Sequence, residues 1–364
     1  VSRPGAADDP AASRGRWGLW IRLGGSVALA ALFLFALAPY LDAIPSSFDV
    51  AWWTVPGFCA VLVAYNVTRT ARWLFLLRPL GDVPTSTAMR VGFAGTMWIA
   101  LLPFRLGELA RPLMIAKTTT VTMRRALGTI AIERVVDGLF VCGMFFATVR
   151  STAGGELTRL HAATTAVMAV FATALVTLAL MGRFPTAAKR LVDATLGRIA
   201  PRLAPAVGQT AQAVSEGLAA LPRGGPLLAF VLVTTVYWAC NAVGMWVLAL
   251  GCGLPLTLPE TVTVMAVINI ALLVPGGPAQ VGIFHAGVVL GLGLFIAPSE
   301  VKAVGSTYVF LLYVCQLGSI VGFGVWAQRS LALDWRSILK WRSGDAAHGH
   351  DHDHDHDHDG EVRL

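Results

Sequence analysis

Charge is what this chain has least of. Only 13% of its 364 residues are Asp, Glu, Lys or Arg, while 55% are hydrophobic and mean hydropathy is +0.66. Water-soluble domains carry about 25% charged residues, so an ordinary soluble globular protein is excluded. No polar stretch is long enough for a separate catalytic domain, and any activity sits within or beside a bilayer. The signatures of soluble enzymes are missing too: there is no Walker loop, no GxSxG and no HExxH. Gly276-Gly277 lies in an apolar segment and follows no strand, which rules out a dinucleotide loop. The five cysteines (Cys59, Cys142, Cys240, Cys252, Cys315) form no CxxC pair and have no metal-ligand spacing. They read as small apolar residues and report no redox compartment.

What is present is a series of apolar runs near or above the roughly 20 residues a spanning helix needs. The fold class read from them is all-α, a polytopic transmembrane helical bundle. Residues 1–16 are polar and rich in Pro, Gly and Ala, and are expected to be a disordered cytoplasmic N-terminus. Ala36-Leu37-Ala38 would suit signal cleavage, but the run before it is long for a signal, so a retained first helix is expected. The transmembrane domain is placed at 17–330, with a cytoplasmic amphipathic segment at 183–225 and a cytoplasmic tail at 331–364.

Basic residues set the topology. The formal charge is +7, and seven acidic residues and one Arg lie from Asp345 onward. The body before that point holds 27 basic against 14 acidic residues, an excess that encodes orientation and favours anionic lipid surfaces. Spans are expected at about 17–40, 51–77, 126–150, 162–182, 226–250 and 303–328. Between them lie two interrupted segments, 86–114 and 260–297. Both ends of the first are basic, which makes it a re-entrant hairpin entered from inside. The second, broken at Pro275-Gly276-Gly277-Pro278, reads as a hairpin entered from outside, with two true spans as the alternative. About six spans plus two re-entrant hairpins then form inverted repeats, with both termini cytoplasmic, as in transporters whose sites lie where broken helices meet.

The first interruption carries the strongest chemical signal. Pro103-Phe104-Arg105-Leu106-Gly107-Glu108-Leu109-Ala110-Arg111-Pro112 puts three charges between two prolines in an apolar setting. Embedded charges cost at least a few kcal/mol and mark cavities, partners or substrates; broken backbone is tolerated there only against protein or water. If the second arm is helical from Leu106, then Arg105, Glu108 and Arg111 stack on one face. The two guanidiniums match a phosphate, with Glu108 holding them between substrates; the alternative is an ion-pair cluster that pins the hairpin. Further along, Glu133 and Asp137 share a face at i,i+4 while Arg134 is offset by about 100°. They read either as neutralising neighbouring arginines or as a gating or proton-coupling pair. Asn66, Arg69 and Arg72 are three apart, and Arg72 and Arg69 are expected either to snorkel to the inner interface or to meet a headgroup. The second interruption offers Asn269, Gln280 and His285, polar but nearly uncharged, with His285 either structural or a proton carrier. Tyr237, Trp238, Asn241 and Gln316 are expected to face the same cavity.

The tail alternates His with Asp or Gly. His348, His350, His352, His354, His356 and His358 could bind Zn²⁺, Ni²⁺ or Co²⁺ loosely, without a folded frame to make one site; an added tag or a low-complexity appendage is the alternative.

Four blocks carry a family resemblance: Arg72-Trp73, Leu102-Pro103-Phe104-Arg105-Leu106-Gly107-Glu108, Glu133-Arg134-Val135-Val136-Asp137, and Pro275-Gly276-Gly277 with Val281-Gly282-Ile283-Phe284. Together they resemble the transmembrane domain of bacterial lysylphosphatidylglycerol synthases and the broader flippase-like family. The resemblance implies a lipid-translocating fold with two re-entrant hairpins, moving aminoacylated phospholipid or polyprenyl-linked lipid. The family usually has an acidic residue where His285 stands, which changes any charge role of the second hairpin. No aminoacyl-transferase domain stands beside these blocks in the 364 residues, so synthesis of the aminoacyl lipid is not expected.

The leading expectation is a lipid flippase, passive or proton-coupled, with no cofactor, no nucleic-acid partner and no ATP motif. Its partner is a membrane lipid with a phosphate headgroup, bound by Arg105 and Arg111 and organised by Glu108, Glu133 and Asp137. Homo-oligomers are open. The rivals are a membrane-embedded transferase or accessory protein for lipid-linked glycan assembly, and a metal transporter using the tail.

Overall fold

The computed structural model describes residues 50–102, 107–149, 155–183, 186, 224–274 and 278–331. Their regular structure is helical throughout, with no strand among the described residues. In chain order the helices are α1 (Thr54–Leu77), α2 (Thr85–Leu101), α3 (Ala110–Thr118), α4 (Met123–Val149), α5 (Gly155–Arg183), α6 (Gly225–Gly251), α7 (Leu258–Ala271), α8 (Ile283–Leu292) and α9 (Ser306–Ser330). The expected N-terminal tail and first span, the amphipathic stretch between 187 and 223, Arg105, Pro275-Gly276-Gly277 and the His/Asp-rich tail lie outside the described residues.

Among the described residues, two helices are long and apolar enough by themselves to cross a membrane: α6, with 27 residues, and α9, with 25, whose 18-residue apolar stretches have mean hydropathy 1.7 and 1.8. Helices α1 (24 residues) and α4 (27 residues) have the length but carry charges mid-helix. At 1.5 Å per residue they still exceed the ~30 Å hydrocarbon core. Local signals set several boundaries. Helix α7 starts with a capping box: Thr257 Oγ1 accepts from the Glu260 N–H at 3.5 Å, and Glu260 Oε2 accepts from the Thr257 N–H at 2.8 Å. Helix α9 is entered through a π-helical stretch, Val301–Gly305.

Each interrupted segment folds as two short helices lying against one another. Helices α2 and α3 are joined through a 3₁₀ turn at 107–109, where Gly107 sits against the Trp98 carbonyl. Any Cβ there would collide with α2 backbone, so glycine is required by close approach. Helices α7 and α8 meet through Gly287 and Gly291; a Cβ at either would come within 3.1 Å of Ile268 or Val264 backbone. This is the small-xxx-small contact that lets membrane helices pack closely.

The contacts between these units are crossed. Helix α2 of the first hairpin packs on α9, and α7 of the second packs on α4. The most extensive contact is α1 along α6. The hairpins themselves meet where the Pro278–Gln280 turn packs against α2. Two apolar clusters result. One surrounds the second hairpin and includes Phe58, Leu62, Phe145, Leu248, Met265 and Val288. The other surrounds the first hairpin and includes Trp73, Leu76, Leu77, Val91, Met114 and Ile115. Along α1 the polar residues Asn66, Arg69 and Arg72 fall between the two, and that layer holds the site.

Candidate functional site

The layer is organised by Glu133. Its Oε1 accepts from Arg72 Nη2 at 2.9 Å, and its Oε2 accepts from Arg111 Nη1 at 2.9 Å. Arg72 also forks onto Asp137, donating Nη1 to Oδ1 at 2.5 Å and Nη2 to Oδ2 at 2.7 Å. One turn of helix separates Glu133 from Asp137, so a single guanidinium reaches both. Three helices, α1, α3 and α4, are thereby tied through one buried carboxylate.

Aromatic rings complete the packing around these ions. The Arg111 guanidinium lies 4.1 Å from the centre of the Trp73 ring, and that of Arg72 lies 4.6 Å from the centre of the Tyr237 ring. Trp73 Nε1 donates to Thr129 Oγ1 at 2.9 Å. Tyr237 stacks on Tyr65 at 4.8 Å, with their hydroxyls 3.3 Å apart. Gly95 on α2 leaves the space through which the Arg111 aliphatic stem passes. Arg72 and Glu133 are both fully buried. Arg72 therefore does not snorkel to an interface; two carboxylates at one-turn spacing hold it inside, which outweighs the pull of the headgroup region.

A cavity of about 330 Å³ opens beside this cluster. Both hairpins line it, the first through Ile99, Ala100 and Glu108, the second through Ile268, Asn269, Ala279 and Gln280. Arg69, Arg134 and Asp137 bring charge to its wall; Tyr65, Tyr237, Trp238, Asn241, Tyr313 and Gln316 supply further polar atoms. Arg69 makes no hydrogen bond or ion pair among the described residues. Arg134 is offset on α4 from the Glu133–Asp137 face, and its Nε and Nη2 are buried without a hydrogen-bond partner among the described residues. All four arginines, Arg111, Arg72, Arg134 and Arg69, act electrostatically on Glu133, but only Arg72 and Arg111 touch it.

The predicted residues thus separate into two groups. Arg72, Arg111, Glu133 and Asp137 form the ion-paired cluster, in which Asp137 also borders the cavity. Arg69, Glu108, Arg134, Asn269 and Gln280 join Asp137 on the cavity wall. Glu108 stands in the 3₁₀ turn before α3 and lines the cavity, whereas Arg111, in the first turn of α3, reaches Glu133; Arg105 and Leu106, on which the expected stacking also rests, lie outside the described residues. His285 lies behind the wall, 9% exposed, with its ring 4.7 Å from that of Tyr313. No group of three or more His, Cys, Asp or Glu side chains able to hold a metal occurs among the described residues. The six tail histidines lie outside them.

A family model for the lysylphosphatidylglycerol synthase TM region matches residues 17–339, most of the chain and all of the layer just described. The chain belongs to that family. No curated protein and no solved structure matches it. Membership in the lysylphosphatidylglycerol synthase TM region family makes this a membrane protein related to lipid handling, and the four sequence blocks that carry the resemblance all fall within the match.

Sequence reasoning missed Tyr65, Tyr313 and Thr129. The first two line the cavity and the third holds Trp73. A signal was available for the tyrosines: the chain has only five, and a phenol in an otherwise apolar helix usually finds a polar partner.

Proposed function

We propose that this protein moves the polar head of a phospholipid or polyprenyl-linked lipid between leaflets through the cavity shared by its two hairpins. In this reading α2–α3 is a re-entrant hairpin entered from the cytoplasm and α7–α8 one entered from outside. About six spans surround them, and both termini are cytoplasmic in the cell membrane. The observation that carries it is the cavity itself: a charged pocket inside an apolar bundle, bordered by both broken helix pairs. Charges are retained at such depth where something polar must pass.

The residues divide the work. Arg69 and Arg134 meet the phosphate, with Glu108, Asn269 and Gln280 on the facing wall and Arg105 and His285 as further contributors. Arg72, Arg111, Glu133 and Asp137 hold the helices that form the pocket. Acyl chains stay in the bilayer, so only the head needs a polar route.

The test is a scrambling assay in liposomes with head-labelled phosphatidylglycerol. Wild-type protein should accelerate leaflet exchange well beyond protein-free vesicles. Arg134→Gln should slow it about tenfold, since hydrogen bonds to a charged group contribute about 1.5–3 kcal/mol. Exchange no faster than in protein-free vesicles, for phosphatidylglycerol and for a polyprenyl phosphate alike, would overturn the reading.

A further inference from the structure

Helices α1 and α9 form one seam of the cavity wall: α1 brings Tyr65 and Arg69 to it, and α9 brings Leu312, Tyr313 and Gln316. Helix α1 packs most extensively on α6 and touches α9 far less. One hydrogen bond marks which faces of α1 and α9 meet: Asn66 Nδ2 donates to Ser319 Oγ at 3.2 Å. Seven residues before Asn66 stands Cys59, and four residues before Ser319 stands Cys315. Residues at those spacings share a helix face, so the seam that joins Asn66 to Ser319 also brings the two cysteines together. Their thiols are in hydrogen-bond contact across it. Cys59 is exposed, whereas Cys315 is half-buried against the apolar cluster around the second hairpin. Cys142 and Cys252, by contrast, are buried.

We infer that Cys59 and Cys315 are a redox-modification site, a dithiol that oxidises reversibly to a disulfide and so fastens α1 to α9 beside the cavity. Cys59 is the side chain a small oxidant reaches first. With a peroxide, its sulfur takes one oxygen to become a sulfenic acid, and the other oxygen leaves as water. The Cys315 sulfur then attacks the sulfenic sulfur. The S–S bond forms, the S–O bond breaks, and the departing hydroxide leaves with the Cys315 proton as a second water. Two thiols together lose two electrons and one peroxide gains them; an external thiol reverses the step by exchange. Disulfide sulfurs stand ~2.05 Å apart, closer than thiols in hydrogen-bond contact. The bond therefore replaces a contact that can open with one that cannot. In the orientation proposed above, both helices begin at the outer face. Both cysteines lie in the half of their helix nearer that face, the side on which disulfides persist. The consequence for lipid movement rests on the lipid reading; the disulfide itself does not.

The experiment uses the full chain in liposomes that carry head-labelled phosphatidylglycerol, treated with hydrogen peroxide or with tris(2-carboxyethyl)phosphine. After leaflet exchange is measured, each sample is unfolded, alkylated with N-ethylmaleimide and digested for mass spectrometry. In the oxidised sample the peptides holding Cys59 and Cys315 should be joined, within a species that runs as a single chain on a non-reducing gel. Reduction should remove the joined species, and Cys142 and Cys252 should be alkylated in both samples. Leaflet exchange by oxidised wild type should fall to near the protein-free rate and return on reduction. Cys315→Ser should form no joined species and keep its exchange in peroxide. The wild-type comparison needs no variant, so it decides the matter even where Cys315→Ser fails to fold. Cys59 and Cys315 both alkylated after peroxide, or joined only between two chains, would overturn the site. A joined pair with undiminished exchange would overturn the fastening of the seam. A joined pair in a protein whose reduced form exchanges lipid no faster than protein-free vesicles would uphold the disulfide and overturn the lipid reading instead.

Discussion

The two hairpins solve the same packing problem with opposite materials. The first, α2–α3, is fastened by ions: Arg111 reaches out of α3 to Glu133 on α4, backed by the Trp73 ring from α1. The second, α7–α8, is fastened without charge, by two glycines that let backbones touch and by a turn that passes through Ala279 (φ 56°), Gln280 (φ 58°) and Gly282 (φ 88°). Two consecutive non-glycine residues at positive φ cost of order 1–3 kcal/mol each and persist only where surroundings hold them. Tyr313 on α9 is such a hold, donating its hydroxyl to the Ala279 carbonyl at 3.0 Å. An ionic fastening fixes direction and leaves charge at the cavity edge. An apolar fastening leaves backbone groups and an amide there instead. The cavity wall is therefore asymmetric in charge although both hairpins border it.

That contrast can be broken at its ionic end first. Glu133→Gln should strand Arg72 and Arg111 with a neutral partner in a buried site. A loss of about 3–5 kcal/mol is expected, because removing one member of a buried pair leaves uncompensated charge. Thermal unfolding in detergent, followed by size exclusion, should show a large drop in melting temperature or loss of the monodisperse peak. An unchanged melting curve would mean that Glu133 does not tie α1, α3 and α4 together. Asp137→Asn should cost less, because Arg72 keeps Glu133.

The next two substitutions test steric fastening in each hairpin with the same instrument. Gly95→Leu should displace the Arg111 stem and loosen its bond to Glu133, with a cost of about 1–3 kcal/mol from overpacking. Gly287→Leu should force α7 and α8 apart at a similar cost. The difference lies in coupling. Gly95→Leu combined with Glu133→Gln should be less than additive, since both act on Arg111. Gly287→Leu with Glu133→Gln should be additive, since no contact is shared. Additivity in the first pair would place Arg111 elsewhere.

How much of this can be read from the chain follows the same division. Helices and hairpin arms are legible because apolar runs and Pro/Gly breaks are local signals: the run at 226–250 becomes helix α6, Gly225–Gly251. The i,i+4 pairing of Glu133 with Asp137 is legible for the same reason. What is not legible is which arginine finds which carboxylate. Arg111 and Arg134 look alike in sequence, yet one is paired and stacked while the other faces the cavity. That choice depends on how α1, α3 and α4 meet, a long-range matter that no spacing rule reports. The close approach of Gly107 to the Trp98 carbonyl has the same origin, since it depends on how α2 meets the turn at 107–109. The crossed contacts of α2 with α9 and α7 with α4 likewise lie beyond local pattern.

The smallest expected effect is the most specific to the uncharged hairpin. Tyr313→Phe removes one hydroxyl and keeps the ring that packs on Phe284 and His285. Global stability should fall by only about 0.5–1.5 kcal/mol, the usual net contribution of one neutral hydrogen bond. The local consequence should be larger than that figure implies, because the freed carbonyl belongs to Ala279, the first of the two strained residues. Losing its anchor lets the turn relax toward negative φ, which would move Gln280 off the cavity wall. Amide exchange across 278–286 should speed up in the variant while exchange in α2 stays as in wild type. Equal acceleration in both hairpins would mean that the two fastenings are not independent, and the contrast between them would fail as a description of how the cavity is built.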